Sequence, residues 1–172
     1  LTQRLLALLE KAEIEDAQRL DVYSGAAGLL LALCPAYEHT GAEAALVHMR
    51  RAAERLLLAQ TLEYRGLLLW DTLGKKRPIS GAGHGMAGIA AALSWAGKLL
   101  GDARCMEAAA AALEAVQAHV SDRRESEAET QYKPEDLPKL EKALTEQAGN
   151  TVLLVVCADY DAAQRALDAL GS

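Results

Sequence analysis

Ser80-Gly81-Ala82-Gly83-His84-Gly85-Met86-Ala87-Gly88 echoes an earlier stretch, Ser24-Gly25-Ala26-Ala27-Gly28, at an offset of sixty residues when Gly85 is set against Gly25. The same offset aligns Gly28 with Gly88, Ala32-Leu33 with Ala92-Leu93, Gly41 with Gly101 and Glu54 with Glu114, without a gap. Self-similarity over such a period marks a repeat architecture. The copies differ where chemistry could reside: Ser24 is matched by His84, and Asp21 by Gly81. Each copy therefore brings one ionisable group to a helix start.

Working outward, residues 24–39 are almost wholly apolar, the pattern of a helix buried on most sides, with Pro35 expected to kink it. Gly41 supplies a terminator. Residues 42–60 are amphipathic, with Leu46, Met49, Ala53, Leu56 and Leu57 on the apolar face. The second copy repeats the pair: 86–100 apolar, Gly101 as stop, Asp102 as N-cap, then 103–120. One helix of each pair is inner and one outer. Between the copies, residues 62–78 form a long excursion expected to hold a short hairpin.

Residues 2–13 carry a helical apolar stripe. The charged run 122–130 reads as a solvated linker and 134–148 as a short amphipathic helix. Residues 151–157 (TVLLVVC) read as a buried strand and 161–170 as a helix. The expected fold is mainly α: a partial (α/α) toroid of helical hairpins with a short C-terminal tail containing one strand. The expected divisions are a repeat region over 1–121, a charged linker over 122–134 and a non-repeat tail over 135–172.

The chain of 172 residues is 51% hydrophobic but only 4% aromatic, and Phe is absent. That composition favours close-packed helices over a sheet-based core. A net charge of −6, with no basic block longer than Lys75-Lys76-Arg77, excludes the electrostatic footprint of a nucleic-acid binder. No apolar run reaches membrane-spanning length and no signal-peptide pattern opens the chain, so the expected location is cytoplasmic. Cys34, Cys105 and Cys157 are widely spaced, forming neither a disulfide framework nor a zinc motif.

Gly25 and Gly28, like Gly85 and Gly88, sit three apart on one helix face, where missing side chains admit another backbone or a ligand. In a toroid of hairpins, equivalent loops gather at one end, which makes Asp21 and His84 a candidate acid/base pair. Trp70 is expected to line the core or the cavity. Cys34 and Cys105 read as small buried hydrophobes, and His39, His48 and His119 as ordinary surface or interface residues.

Asp21-Val22-Tyr23-Ser24-Gly25-Ala26-Ala27-Gly28 and Arg77-Pro78-Ile79-Ser80-Gly81-Ala82-Gly83-His84-Gly85-Met86-Ala87-Gly88-Ile89-Ala90 resemble the LanC-like lanthionine cyclase family. The likeness is greatest to the C-terminal cyclase domain of class II lanthipeptide synthetases. It implies a helical toroid with Zn²⁺ at its mouth and a dehydrated lanthipeptide precursor as partner. The implied reaction adds a peptide Cys thiol to dehydroalanine or dehydrobutyrine, closing a thioether ring. By position, Asp21 and His84 match the family's catalytic aspartate and histidine. The family's zinc ligands include a consecutive Cys-His pair, which this chain does not contain. The chain is therefore expected to lack the metal-binding half of the site, to bind no metal itself and to be inactive alone. The rest of a synthetase, or further copies of this chain, would complete the ring.

Two other classes compete. A non-catalytic helical module would bind peptide or self-associate. A six-hairpin glycosidase would need a carboxylate pair, for which only Asp21 and Asp71 are suitably placed.

Overall fold

In the computed structural model, residues 19–130, 135, 137–148, 151–155, 157 and 159–170 are described. The chain divides into two compact units, Leu1–Val116 and Gln117–Ser172. The helix expected over 2–13 lies outside the described residues.

The first unit contains α1 (Ala26–Thr40), α2 (Glu43–Leu58), a hairpin of β1 (Leu62–Tyr64) and β2 (Leu67–Leu69), α3 (Met86–Leu100) and the start of α4 (Ala103–Thr130). α1 and α3 are both 15 residues long and begin sixty positions apart, as do α2 and α4. The repeat extends to the dihedrals. Gly25 and Gly85 precede the two helices at φ −129° and −128°, and Gly41 and Gly101 end them in the left-handed region at φ 63° and 65°. Glycine adopts that conformation without the Cβ penalty other residues meet. Asp102 accepts the Arg104 backbone N–H at 3.0 Å, capping α4 as its sequence position predicts.

α1 packs chiefly on α2 and then on α3. Leu30, Leu33, Met49, Leu56, Ile89 and Leu93 are fully buried in this core, each contributing about 1.5–3 kcal/mol. Within the second pair, Gly97 lets the helices close up, because a Cβ there would lie 2.8 Å from the Cys105 Cβ. This is a partial (α/α) toroid of helical hairpins, mainly α as its composition predicts.

One detail of the inner helix α1 differs from expectation. α1 is not buried on most sides, since Ala32 and Pro35 are exposed. As expected, the helix runs on past Pro35, and it ends at Thr40. Proline on the wet face leaves its unpaired carbonyl partner accessible to water, which lowers the cost of the missing N–H.

The excursion does contain a hairpin. Leu62 pairs with Leu69 and Tyr64 with Leu67, leaving Arg65 and Gly66 as a two-residue turn at φ 51° and 81°. Positive φ at both positions is the type I′ signature, whose twist matches that of the strands. Downstream, the Asp71 carboxylate accepts backbone N–H groups of Lys75 at 2.9 Å and Lys76 at 3.0 Å. Asp71 is thereby engaged in shaping its own loop. Lys76 is exposed and held at φ 51°, a conformation asparagine adopts more readily. Lys76→Asn is expected to stabilise the chain by about 0.5 kcal/mol, read as a higher urea midpoint; a lower midpoint would refute it.

The second unit contains the rest of α4, α5 (Leu137–Glu141), β3 (Leu144–Ala148), β4 (Thr151–Val155) and α6 (Tyr160–Leu170). Here the sequence reading needs correction. The charged run 122–130 is helical, continuing α4 to Thr130 instead of forming a linker. Its residues favour helix intrinsically, and a solvated charged surface is no obstacle to one. Residues 144–148, expected within an amphipathic helix, form β3 and pair antiparallel with β4, from Leu144↔Val155 to Ala148↔Thr151. The tail thus has two strands and not one, because a strand of β-branched residues needs a partner for its backbone groups. Asp159 caps α6 by accepting the Ala162 N–H at 2.9 Å, and the Tyr160 hydroxyl donates to the Lys139 carbonyl at 2.5 Å.

Candidate active site

The loops before α1 and α3 have one construction. In the first, the Ala26 and Ala27 N–H groups donate to the Arg19 and Leu20 carbonyls, both at 3.2 Å. Sixty residues on, Met86 and Ala87 donate to Ile79 and Ser80 at 2.7 and 3.3 Å. These bonds satisfy helix-terminal donors that otherwise need a side-chain cap, and neither helix has one.

Folding each loop back over its own helix brings backbone against the glycines. A Cβ at Gly28 would lie 2.0 Å from the Val22 carbonyl oxygen, and one at Gly88 would lie 1.9 Å from that of Ala82. At Gly25 and Gly85 the nearest backbone atoms would be 2.6 and 2.2 Å away. The space beside all four glycines is filled by the chain's own loops. Trp70, similarly, is fully buried, and its indole N–H donates to the Leu56 carbonyl at 2.7 Å. It stands in the core with no exposed surface.

The two loops face each other. The Val22 N–H donates to the Gly83 carbonyl at 3.0 Å. Beside this link, His84 Nδ1 lies 2.5 Å from Asp21 Oδ2. The two residues singled out in the sequence are thus brought together across the repeat. Asp21 is 3% exposed, whereas the His84 side chain is 48% exposed. The other carboxylate oxygen, Oδ1, accepts from the Ser24 backbone N–H at 2.9 Å and from its hydroxyl at 3.2 Å. Arg19 in turn donates to the Ser24 hydroxyl oxygen at 3.1 Å. The Thr72 hydroxyl donates to the His84 carbonyl at 2.5 Å, tying the long excursion to the second loop.

Burial pushes the Asp21 carboxyl up, but hydrogen bonds from His84 and Ser24 together outweigh it and hold the group below its ordinary value. A carboxylate whose folded value is depressed stabilises the fold fully above its unfolded value, about pH 4. That contribution disappears as pH falls through the folded value. Below about pH 4, the urea midpoint of the wild-type chain is therefore expected to fall more steeply than that of Asp21→Asn; parallel curves would contradict this.

With the carboxylate accepting from Nδ1–H, Nε2 is the nitrogen left for proton exchange on a half-exposed ring. A buried carboxylate that orients a half-exposed histidine is an arrangement able to support general acid/base chemistry.

The family model described as Lanthionine synthetase C-like protein matches residues 1–134, a span that contains both loops and the dyad. The chain belongs to the lanthionine synthetase C-like family. Neither the curated proteins nor the solved structures contain a match to it.

The lanthionine synthetase C-like family is generally zinc-binding. In this chain, no three or more His, Cys, Asp or Glu side chains among the described residues converge to hold a metal ion. Burial pushes the Cys34 thiol up to about 12 and the Cys105 thiol up to about 11. Both stand buried in the helical core as small hydrophobes. The described residues do not fit the metal.

The sequence reading missed Arg19 and Ser24 as partners of the dyad. It also placed His48 at the surface or an interface, whereas His48 is 3% exposed, with no hydrogen-bond partner for Nδ1 among the described residues. The signal was available in the spacing of Ala45, His48, Met49, Ala52, Ala53 and Leu56, which follows one helical stripe. No helix among the described residues is long and apolar enough to cross a membrane.

Proposed function

We propose that this chain supplies the acid/base part of a lanthionine cyclase site, acting on a dehydrated peptide that carries a cysteine. The observation that carries the reading is the 2.5 Å contact between Asp21 and His84, 63 residues apart, inside the matched family region. Thioether formation needs a proton removed from sulfur and a proton delivered to carbon. In this reading His84 Nε2 takes the thiol proton, and the sulfur adds to Cβ of a dehydroalanine or dehydrobutyrine. The S–H bond breaks, the C–S bond forms and the electron pair moves to the enolate. The imidazolium then returns the proton to Cα.

Asp21 holds the imidazole in one tautomer through Nδ1. The four glycines serve by letting the loops that carry the pair lie close to their helices. Holding the sulfur as thiolate falls to groups outside the described residues, and the rest of a synthetase is the natural source.

The test is incubation of the purified chain with a peptide containing one dehydroalanine and one cysteine, followed by thiol blocking and mass measurement. Ring formation yields a product of unchanged mass that resists the blocking reagent. The sequence reading expects inactivity without the metal-binding half, but the assembled dyad supports base catalysis by itself, so the expected result is ring formation at pH 7 faster than in the peptide alone. A rate no greater than that of the peptide alone would overturn the reading.

A further inference from the structure

Tyr23 lies beside the dyad without belonging to it. Among the described residues it is the most exposed of the large apolar side chains, at 76%, yet its ring meets the His84 imidazole at 4.8 Å between centroids and 33° between planes. One edge of that ring occupies space a side chain at position 83 would need: a Cβ on Gly83 would lie 2.3 Å from Tyr23 Cε2. The neighbouring Val22 N–H bonds to the Gly83 carbonyl, fixing the backbone on both sides of the contact. The Tyr23 hydroxyl makes no hydrogen bond among the described residues. Its aromatic face, then, accounts for its position.

A half-exposed histidine held by one hydrogen bond is constrained at one atom only. Rotation about its side-chain bonds would still carry Nδ1 away from the carboxylate, so a second contact is needed to keep one orientation. A tilted ring at 4.8 Å supplies such a contact without covering the imidazole completely.

We propose that Tyr23 is a positioning residue, whose ring, seated over Gly83, holds the His84 imidazole against Asp21 and leaves Nε2 open to the substrate thiol. The catalytic part rests on the proposed cyclase reading; the orienting part does not.

The experiment uses the full chain labelled with ¹⁵N-histidine, reading the tautomer balance of His84 from its two ring-nitrogen shifts at a pH where the ring is neutral. His84→Gln assigns the signals. The wild-type chain is expected to show the Nδ1–H form in excess. Tyr23→Ala and Gly83→Ala should both move His84 toward the balance of a free imidazole, while Tyr23→Phe keeps the wild-type shifts. Because Tyr23 is exposed, Tyr23→Ala tests orientation with little disturbance to the core. Wild-type shifts in Tyr23→Ala, or loss of the bias in Tyr23→Phe, would overturn the proposal. A wild-type chain with no tautomer bias would overturn it too.

In the ring-forming assay, Tyr23→Ala is expected to lower kcat about tenfold with KM little changed, and Tyr23→Phe to restore it. An unchanged kcat in Tyr23→Ala overturns the catalytic part. Absence of ring formation by the wild-type chain removes the cyclase reading and this catalytic part with it. The nitrogen shifts then decide the orienting role separately.

Discussion

Replacing Gly88 by alanine is expected to destabilise the chain by about 3 kcal/mol. The added Cβ would sit 1.9 Å from the Ala82 carbonyl oxygen and 2.6 Å from Val22 Cγ2. Val22 could rotate, but Ala82 lies in the short loop between α3 and the two residues whose carbonyls hold its first N–H groups, through the Met86–Ile79 and Ala87–Ser80 bonds. Moving its carbonyl lifts the whole loop from the helix and carries His84 with it. The same substitution at Gly81, where no atom lies within 4 Å of a built Cβ and φ is not positive, is expected to change stability by no more than about 0.5 kcal/mol. Urea unfolding of the two variants side by side provides the check. Equal midpoints would mean that the close approach at Gly88 does not exist.

Asp21→Asn is expected to abolish the proposed ring-forming activity almost as completely as His84→Ala, by about 10²–10⁴-fold. Because Oδ1 accepts both the backbone N–H and the hydroxyl of Ser24, an asparagine at 21 would keep its carbonyl oxygen in that place. Its amide nitrogen would then face His84 Nδ1 and donate to it, forcing the ring proton onto Nε2. The nitrogen meant to receive the thiol proton would be occupied. A nearly isosteric change that preserves the fold would thus invert the tautomer and remove the base. Thiol blocking and mass measurement across wild type, Asp21→Asn and His84→Ala decide the matter. Full activity in Asp21→Asn would rule out the orienting role given to the carboxylate.

Much of the fold is legible in the sequence. Glycines at helix starts and ends, an apolar helix followed by an amphipathic one, and the gapless offset all depend on local geometry, which one stretch of sequence encodes. Position 48 is legible too, because it falls on the apolar stripe of α2. Histidine is compatible with both surface and core, and its residue type masks what its position on that stripe indicates. Residues 144–148 show a limit, since the polar sequence Leu-Thr-Glu-Gln-Ala has no strong preference and takes strand from β4 beside it. In residues 122–130, charge density was read as a sign of solvation, but helix formation and solvation are compatible.

By itself the sequence determined the repeat, the helical class, the family resemblance and the two residues that make the dyad. Each of these follows from residue identity at fixed spacing, and spacing survives without a fold. Tertiary structure alone decided that one carboxylate oxygen meets His84 while the other is held by Ser24. It also decided that Tyr23 lies on the imidazole and that backbone, not ligand, fills the space beside the glycines. Those outcomes depend on how closely the loop of one repeat approaches the loop of the next. That distance is set by the packing of α1 on α3, a relation between segments sixty residues apart that no local pattern specifies.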